Sequence, residues 1–133
     1  MPRSFIFDLD ATLITKNNDY VHVAFPQVRG ILQSLYFSGH SLYVASFNSF
    51  AEDILRQLNL LHYFCAVADL VSDSSKPKII RQLALDHQID LSQARFFDDD
   101  PYNVQECQAI NLHTTKVDPL VGVTWEQIEY ALR

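Results

Sequence analysis

Asp8 and Asp10, two acids separated by one residue, end the apolar run Phe5-Ile6-Phe7 near the start of a 133-residue chain. Positions two apart in extended backbone share a face, and carboxylates held that close repel unless something positive is supplied. Neither has a basic neighbour in sequence, since Arg3 lies back along the chain and Lys16 beyond the expected turn. A cation is the expected companion. A lone loop aspartate more often only closes a turn or caps a helix, so the pair gains weight from what the rest of the chain brings beside it.

The elements that would position these acids follow from hydrophobic period. Ser4 to Phe7 is a first strand. A polar segment, Thr15 to Asp19, leads into Tyr20 to Phe25, whose partial alternation predicts a short extended flap over the acids. Pro26 marks a helix start, and Val28, Ile31, Leu32, Leu35 and Tyr36 recur along one helical face, with Gly39 as the stop. Leu42 to Ala45 is a second strand running into Ser46-Phe47-Asn48-Ser49, and Phe50, Ile54, Leu55 and Leu58 outline another helix. Ala66 to Val71 predicts a strand that empties into the polar turn Ser72 to Lys76. Pro77 is then the first helical position, with Ile79, Ile80, Leu83, Ala84 and His87 on the inner face. Arg95-Phe96-Phe97 is a strand ending in Asp98-Asp99-Asp100-Pro101, before a helix carrying Val104 and Cys107. After a last strand, Leu112 to Thr115, Thr124 and Gln127 have capping-box spacing for a helix that turns Trp125, Ile128 and Leu132 inward.

Strands alternating with helices imply an α/β fold, a doubly wound parallel sheet covered on both faces, as one domain over residues 1–133. Neither the flap nor the stretch between Ser46 and Lys76 has room for a separate cap. In such open sheets, ligands bind beyond the carboxyl ends of the strands, where strand order reverses. Asp8, Asp10, Ser46, Asp98 and Asp99 all fall there. Four carboxylates at one sheet edge need a counter-ion, and oxygen-only ligands favour a hard cation such as magnesium. Magnesium takes one or two carboxylates plus a substrate phosphate, which leaves an acid free to react. Asp100, directly before Pro101, fits an N-cap and stays outside the site. Lys76 stands just before a helix N-terminus, where the macrodipole disfavours positive charge, and such local conflict is expected at functional positions.

Asp8-Leu9-Asp10-Ala11-Thr12, Ser46, Lys76-Pro77 and Phe96-Phe97-Asp98-Asp99 resemble, in order, the four motifs of the haloacid dehalogenase-like superfamily of phosphohydrolases. Within it the chain is most similar to the small magnesium-dependent phosphatases, with Asn103 and Val104 following the last motif. The resemblance implies that Asp8 is the nucleophile forming an aspartyl phosphate, and that Asp10 protonates the leaving oxygen and then deprotonates water. It implies magnesium held by Asp8, the backbone carbonyl of Asp10, and Asp99, with Asp98 in close support. Ser46, Lys76 and the N–H of Leu9 would hold the phosphoryl oxygens. The dehalogenase branch lacks the second acid, so Asp10 points to phosphate esters. Ala11 stands where many relatives have glycine, and Phe47 where these phosphatases usually carry arginine. Phe47 could stack on an aromatic leaving group such as phosphotyrosine or pack beneath the flap. Capless members often act on phosphoproteins or borrow a neighbouring subunit as a lid, so a phosphoprotein and a small phosphorylated metabolite are both expected substrate classes.

Composition narrows the alternatives. Net charge of -6 opposes tracking a nucleic-acid backbone, which weighs against a nucleic-acid end phosphatase sharing these motifs. No apolar stretch reaches the roughly 20 residues of a membrane span, and the N-terminus lacks a signal-peptide pattern, so a cytoplasmic protein is expected. Cys65 and Cys107 are too isolated for a disulfide framework and are expected to be core thiols. A receiver-like phosphoacceptor module has comparable residues, but its acid pair comes early and its acceptor on a middle strand. A non-catalytic phosphate-binding module would require a defect that the motifs do not show.

Overall fold

The computed structural model describes residues 2–69 and 75–133. Five parallel strands form the main sheet: β1 (Ser4–Phe7), β4 (Ser41–Ala45), β5 (Ala66–Ala68), β6 (Ala94–Asp98) and β7 (His113–Lys116), in spatial order β5-β4-β1-β6-β7. β1 is central, and the chain first builds outward on one side of it and then on the other. Strand order therefore reverses at the carboxyl end of β1. Phe7 lies opposite Val44 of β4 and Phe97 of β6, so one step further along the chain brings Asp8 beside Asp98.

Alternation along β1 sorts the core into two layers. Phe5 and Phe7 enter a cluster with Phe97, α1 (Val28–Phe37), α2 (Ala51–Gln57) and α5 (Trp125–Ala131). Ile6 points into the opposite layer with Phe96, α3 (Lys76–His87) and α4 (Pro101–Ala109). Both faces are covered, as the alternation of elements predicts. Phe7 and Phe97 stack with ring centroids 5.2 Å apart, directly beneath the acid-bearing edge. No helix among the described residues is long and apolar enough to cross a membrane.

The flap is a hairpin of β2 (Ile14–Lys16) and β3 (His22–Ala24), paired antiparallel. Its first strand falls in the stretch expected to be a polar connection. Its second strand is shorter than the Tyr20 to Phe25 segment, because Tyr20 turns the corner with φ 60° and is exposed. The insertion between β1 and α1 is this hairpin alone.

Other expectations shift at their edges. β5 stops at Ala68, and Leu70 to Ser74 lie outside the described residues. The last strand starts one residue late, at His113. α3 begins at Lys76 itself, with Ser75 as N-cap accepting the Lys78 N–H, rather than at Pro77. Phe50 caps α2 and is 66% exposed instead of lining its inner face. His87 is exposed, its ring 5.6 Å from that of Tyr43. Ile128 faces inward as expected, but Trp125 and Leu132 remain 39% exposed, and Ala131 joins Ile128 in the interior. An α-helix places three and four steps on one face, and Ala131 takes the place assigned to its larger neighbour. Cys107 is buried but Cys65 is exposed, so only one is a core thiol. The capping box of Thr124 and Gln127 forms in both directions, and Asp100 caps α4 by accepting the N–H of Tyr102 at 2.8 Å.

The loop after β7 locks the hairpin's root. Val123 donates its N–H to the carbonyl of Thr12, and Gly122, at φ 78°, packs against the Phe25 side chain. A Cβ there would overlap that side chain and would also meet the left-handed penalty. Gly122→Ala is expected to lose about 2 to 4 kcal/mol in urea unfolding, from overpacking and backbone strain together.

Candidate active site

Every site residue anticipated from sequence lies at the carboxyl edge of the sheet, but they fall into two groups. The inner group is built around the ammonium of Lys76, whose Nζ donates to Asp8 Oδ1 at 2.8 Å and to Asp98 Oδ2 at 3.0 Å. Lys76 and Asp98 are fully buried, and Asp8 nearly so. Its placement in the first turn of α3 costs macrodipole energy, which two short charge-assisted bonds outweigh.

Asp98 is held on both oxygens. Its Oδ1 accepts the Asp100 N–H at 2.9 Å, and its Oδ2 also accepts Asn103 Nδ2 at 3.2 Å. Asp8 Oδ2 accepts the Thr12 hydroxyl at 3.4 Å. Asp99 joins them: Asp8, Asp98 and Asp99 each offer an oxygen within 4.8 Å of the others. Three carboxylates around one lysine leave negative charge in excess. Burial pushes the Asp8 carboxyl up to about 8, with Asp98 adding to the rise and Lys76 opposing it. Burial likewise raises Asp99, and the charge of Asp98 adds to the rise. Burial works against the charge of Lys76, but Asp8 and Asp98 outweigh it and hold its pKa above the ordinary value. An all-oxygen set with two buried acids, a half-buried third and uncompensated charge fits magnesium, which would complete the neutralisation that Lys76 begins.

The outer group is Asp10, Ser46 and Phe47. Asp10 is exposed and bonded through Oδ2 to Asn48 Nδ2 at 3.1 Å. Ser46 is buried, and its Oγ accepts the Asn48 N–H at 3.0 Å, which leaves its proton free to donate. Phe47 lies over Lys76, with Nζ 4.9 Å from the ring centroid, while Phe96 approaches at 5.7 Å. The ring thus shields the lysine, a contact that neither of its anticipated roles included.

From Leu9 to Ile14 the chain makes a tight loop, with the N–H groups of Thr12, Leu13 and Ile14 all directed to the Leu9 carbonyl. Ala11 sits there at φ 62°, in the left-handed region that favours glycine. No hydrogen bond among the described residues uses the Leu9 N–H. Beside Asp10 a cleft of about 470 Å³ opens between Lys16 and His22 of the hairpin and Phe50 and Asp53 of α2. Asn48, like Thr12 on Asp8 and Asn103 on Asp98, bonds a site acid without an anticipated role; its position two after a strand-end serine was the available signal.

Known structures share this overall fold. The chain superposes on a haloacid dehalogenase-like family hydrolase from Streptococcus pneumoniae with a TM-score of 0.77 at 16% identity, covering 97% of this chain and 90% of that one. The chain has the haloacid dehalogenase-like fold. A predicted phosphatase from Clostridium acetobutylicum gives 0.78 at 19% identity, over 98% and 91% of the two chains. A hydrolase of the haloacid dehalogenase superfamily, subfamily IA, from Geobacter sulfurreducens gives 0.74 at 14%, over 87% and 89%. No family model matches the sequence, and no curated protein matches it. The haloacid dehalogenase-like fold therefore persists here at low identity.

Proposed function

We propose that this chain is a magnesium-dependent phosphomonoester hydrolase that works through an aspartyl phosphate on Asp8. The observation that carries this reading is the buried Asp8–Lys76–Asp98 unit with Asp99 alongside, at the strand-order reversal. The phosphatase and hydrolase names of its structural neighbours are in keeping with it.

Asp8, Asp99 and the carbonyl of Asp10 would hold the metal. Asp98, whose oxygens are already occupied by donors, supports Lys76. Magnesium supplies positive charge to the carboxylates and the phosphoryl oxygens when bound. An oxygen of Asp8 attacks phosphorus as the bond to the leaving oxygen breaks, and Asp10 gives that oxygen a proton. Asp10 then takes a proton from water, whose oxygen attacks phosphorus, and the bond to Asp8 breaks to return its carboxylate. Lys76, the Ser46 hydroxyl and the Leu9 N–H neutralise and orient the phosphoryl oxygens throughout. The cleft beside Asp10 is open enough for a phosphoprotein side chain, phosphotyrosine included, or for a small phosphorylated metabolite.

The test is release of nitrophenol from para-nitrophenyl phosphate. Turnover is expected with magnesium, a loss of about a hundredfold or more with a chelator, and recovery when magnesium is restored. Full activity in chelator would sink the metal assignment.

A further inference from the structure

We infer that Asn48 is the positioning residue for Asp10, fixing the acid's carboxylate at the mouth of the leaving-group cleft; this rests on the phosphatase reading above. Three bonds immobilise Asn48. Its N–H donates to Ser46 Oγ at 3.0 Å, its Oδ1 accepts the Phe50 N–H at 2.9 Å, and its Nδ2 donates to Asp10 Oδ2 at 3.1 Å. A backbone N–H can only donate, so the amide oxygen must face Phe50 and the amide nitrogen must face Asp10. The orientation of the side chain has one solution.

Asp10 has no such constraint of its own. It is exposed, and Asn48 gives its carboxylate the one side-chain hydrogen bond it has among the described residues. An exposed aspartate on a loop spreads over several rotamers. A donor fixed on the loop after β4, 38 positions away in sequence, selects one of them. Proton transfer needs the acid within hydrogen-bond reach of the leaving oxygen, and displacements of an ångström are costly. Asp10 and Asn48 both line the cleft walled by Lys16, His22, Phe50 and Asp53, so the orientation they share is toward the space a leaving group must occupy.

Turn formation does not account for the residue type. Capping the Phe50 N–H needs only an acceptor, which serine or aspartate also provides. The donor that reaches Asp10 is what asparagine adds.

Asn48→Ser separates the two roles, because it keeps an acceptor for Phe50 and removes the arm to Asp10. The experiment measures kcat/KM with magnesium for para-nitrophenyl phosphate, whose leaving group needs little protonation, and for phenyl phosphate, whose leaving group needs more. Asn48→Ser is expected to lose about tenfold on phenyl phosphate and less than about twofold on the nitrophenyl ester, a smaller version of the selectivity expected of Asp10→Asn. Equal losses on both esters, or no loss on either, would overturn the assignment. Should Asn48→Ser melt early, Asn48→Asp, which also keeps the acceptor, takes its place under the same criterion. No turnover of either ester by the wild type would overturn the phosphatase reading and this inference with it, whereas wild-type turnover with unselective losses overturns only the role of Asn48.

Discussion

Asp8→Asn is expected to reduce nitrophenol release by about four orders of magnitude or more, because an amide oxygen cannot form the acyl phosphate and nothing nearby replaces it. Asp98, the neighbouring acid, has both oxygens engaged, and Asp99 belongs to the proposed metal set. The loss must come without unfolding. Burial raises the Asp8 carboxyl from 3.8 to about 8 in the folded chain, so its ionisation works against the fold. Between those values the unfolded chain has released this proton and the folded chain has kept it. Stability then falls as pH rises, since the unfolded state binds fewer protons. Metal-free wild type should therefore lose stability relative to Asp8→Asn from about pH 4 to about pH 8, as read by urea midpoints in chelator. A folded Asp8→Asn variant that retains turnover would remove Asp8 from the nucleophile's role.

Lys76→Met should damage both function and fold. The substitution is close in volume but leaves Asp8 and Asp98 buried without their shared cation. Removing one partner of a buried pair costs about 3 to 5 kcal/mol, and the cost here is carried by two carboxylates. Turnover should fall by about a thousandfold or more, since the lysine also faces the charge that develops on the phosphoryl group. Urea unfolding and steady-state kinetics together check this. Adding Asp98→Asn to Lys76→Met should recover part of the stability and none of the activity. If the double variant regained turnover, the ammonium would be acting only as a structural counter-ion.

The fold was largely legible because β1, β4 and β6 are short apolar runs bounded by polar residues, and the helices between them carry clear periodic faces. The hairpin was half visible. Val21-His22-Val23-Ala24 has strand character, but Ile14-Thr15-Lys16 acquires it only by pairing, since two exposed residues out of three give no alternation to read. The inward placement of Trp125 and Leu132 failed for a related reason. Period identifies a face to within about one residue, and the interior space beside Ile128 accommodates Ala131. Residues that act through caps were readable when the cap is local, as with Asp100 and with Thr124 and Gln127. Asn48 was not, because its decisive bond spans two loops that sequence separation conceals.

The sequence by itself determined which chemistry-bearing residues end strands, and therefore that Asp8, Asp10, Ser46, Asp98 and Asp99 meet at one edge of a parallel sheet. It also determined that the set carries more negative charge than its neighbours in sequence can balance. Only the tertiary structure decided how that charge is shared. Lys76 crosses from α3 to bond two acids at once, Asn103 and a backbone N–H occupy Asp98, Phe47 covers the lysine, and Asn48 turns Asp10 toward the cleft. The physical reason is that strand ends are a local property of hydrophobic pattern, whereas the division of hydrogen bonds and charge among neighbours depends on distances of a few ångströms that only the packed sheet and helices set.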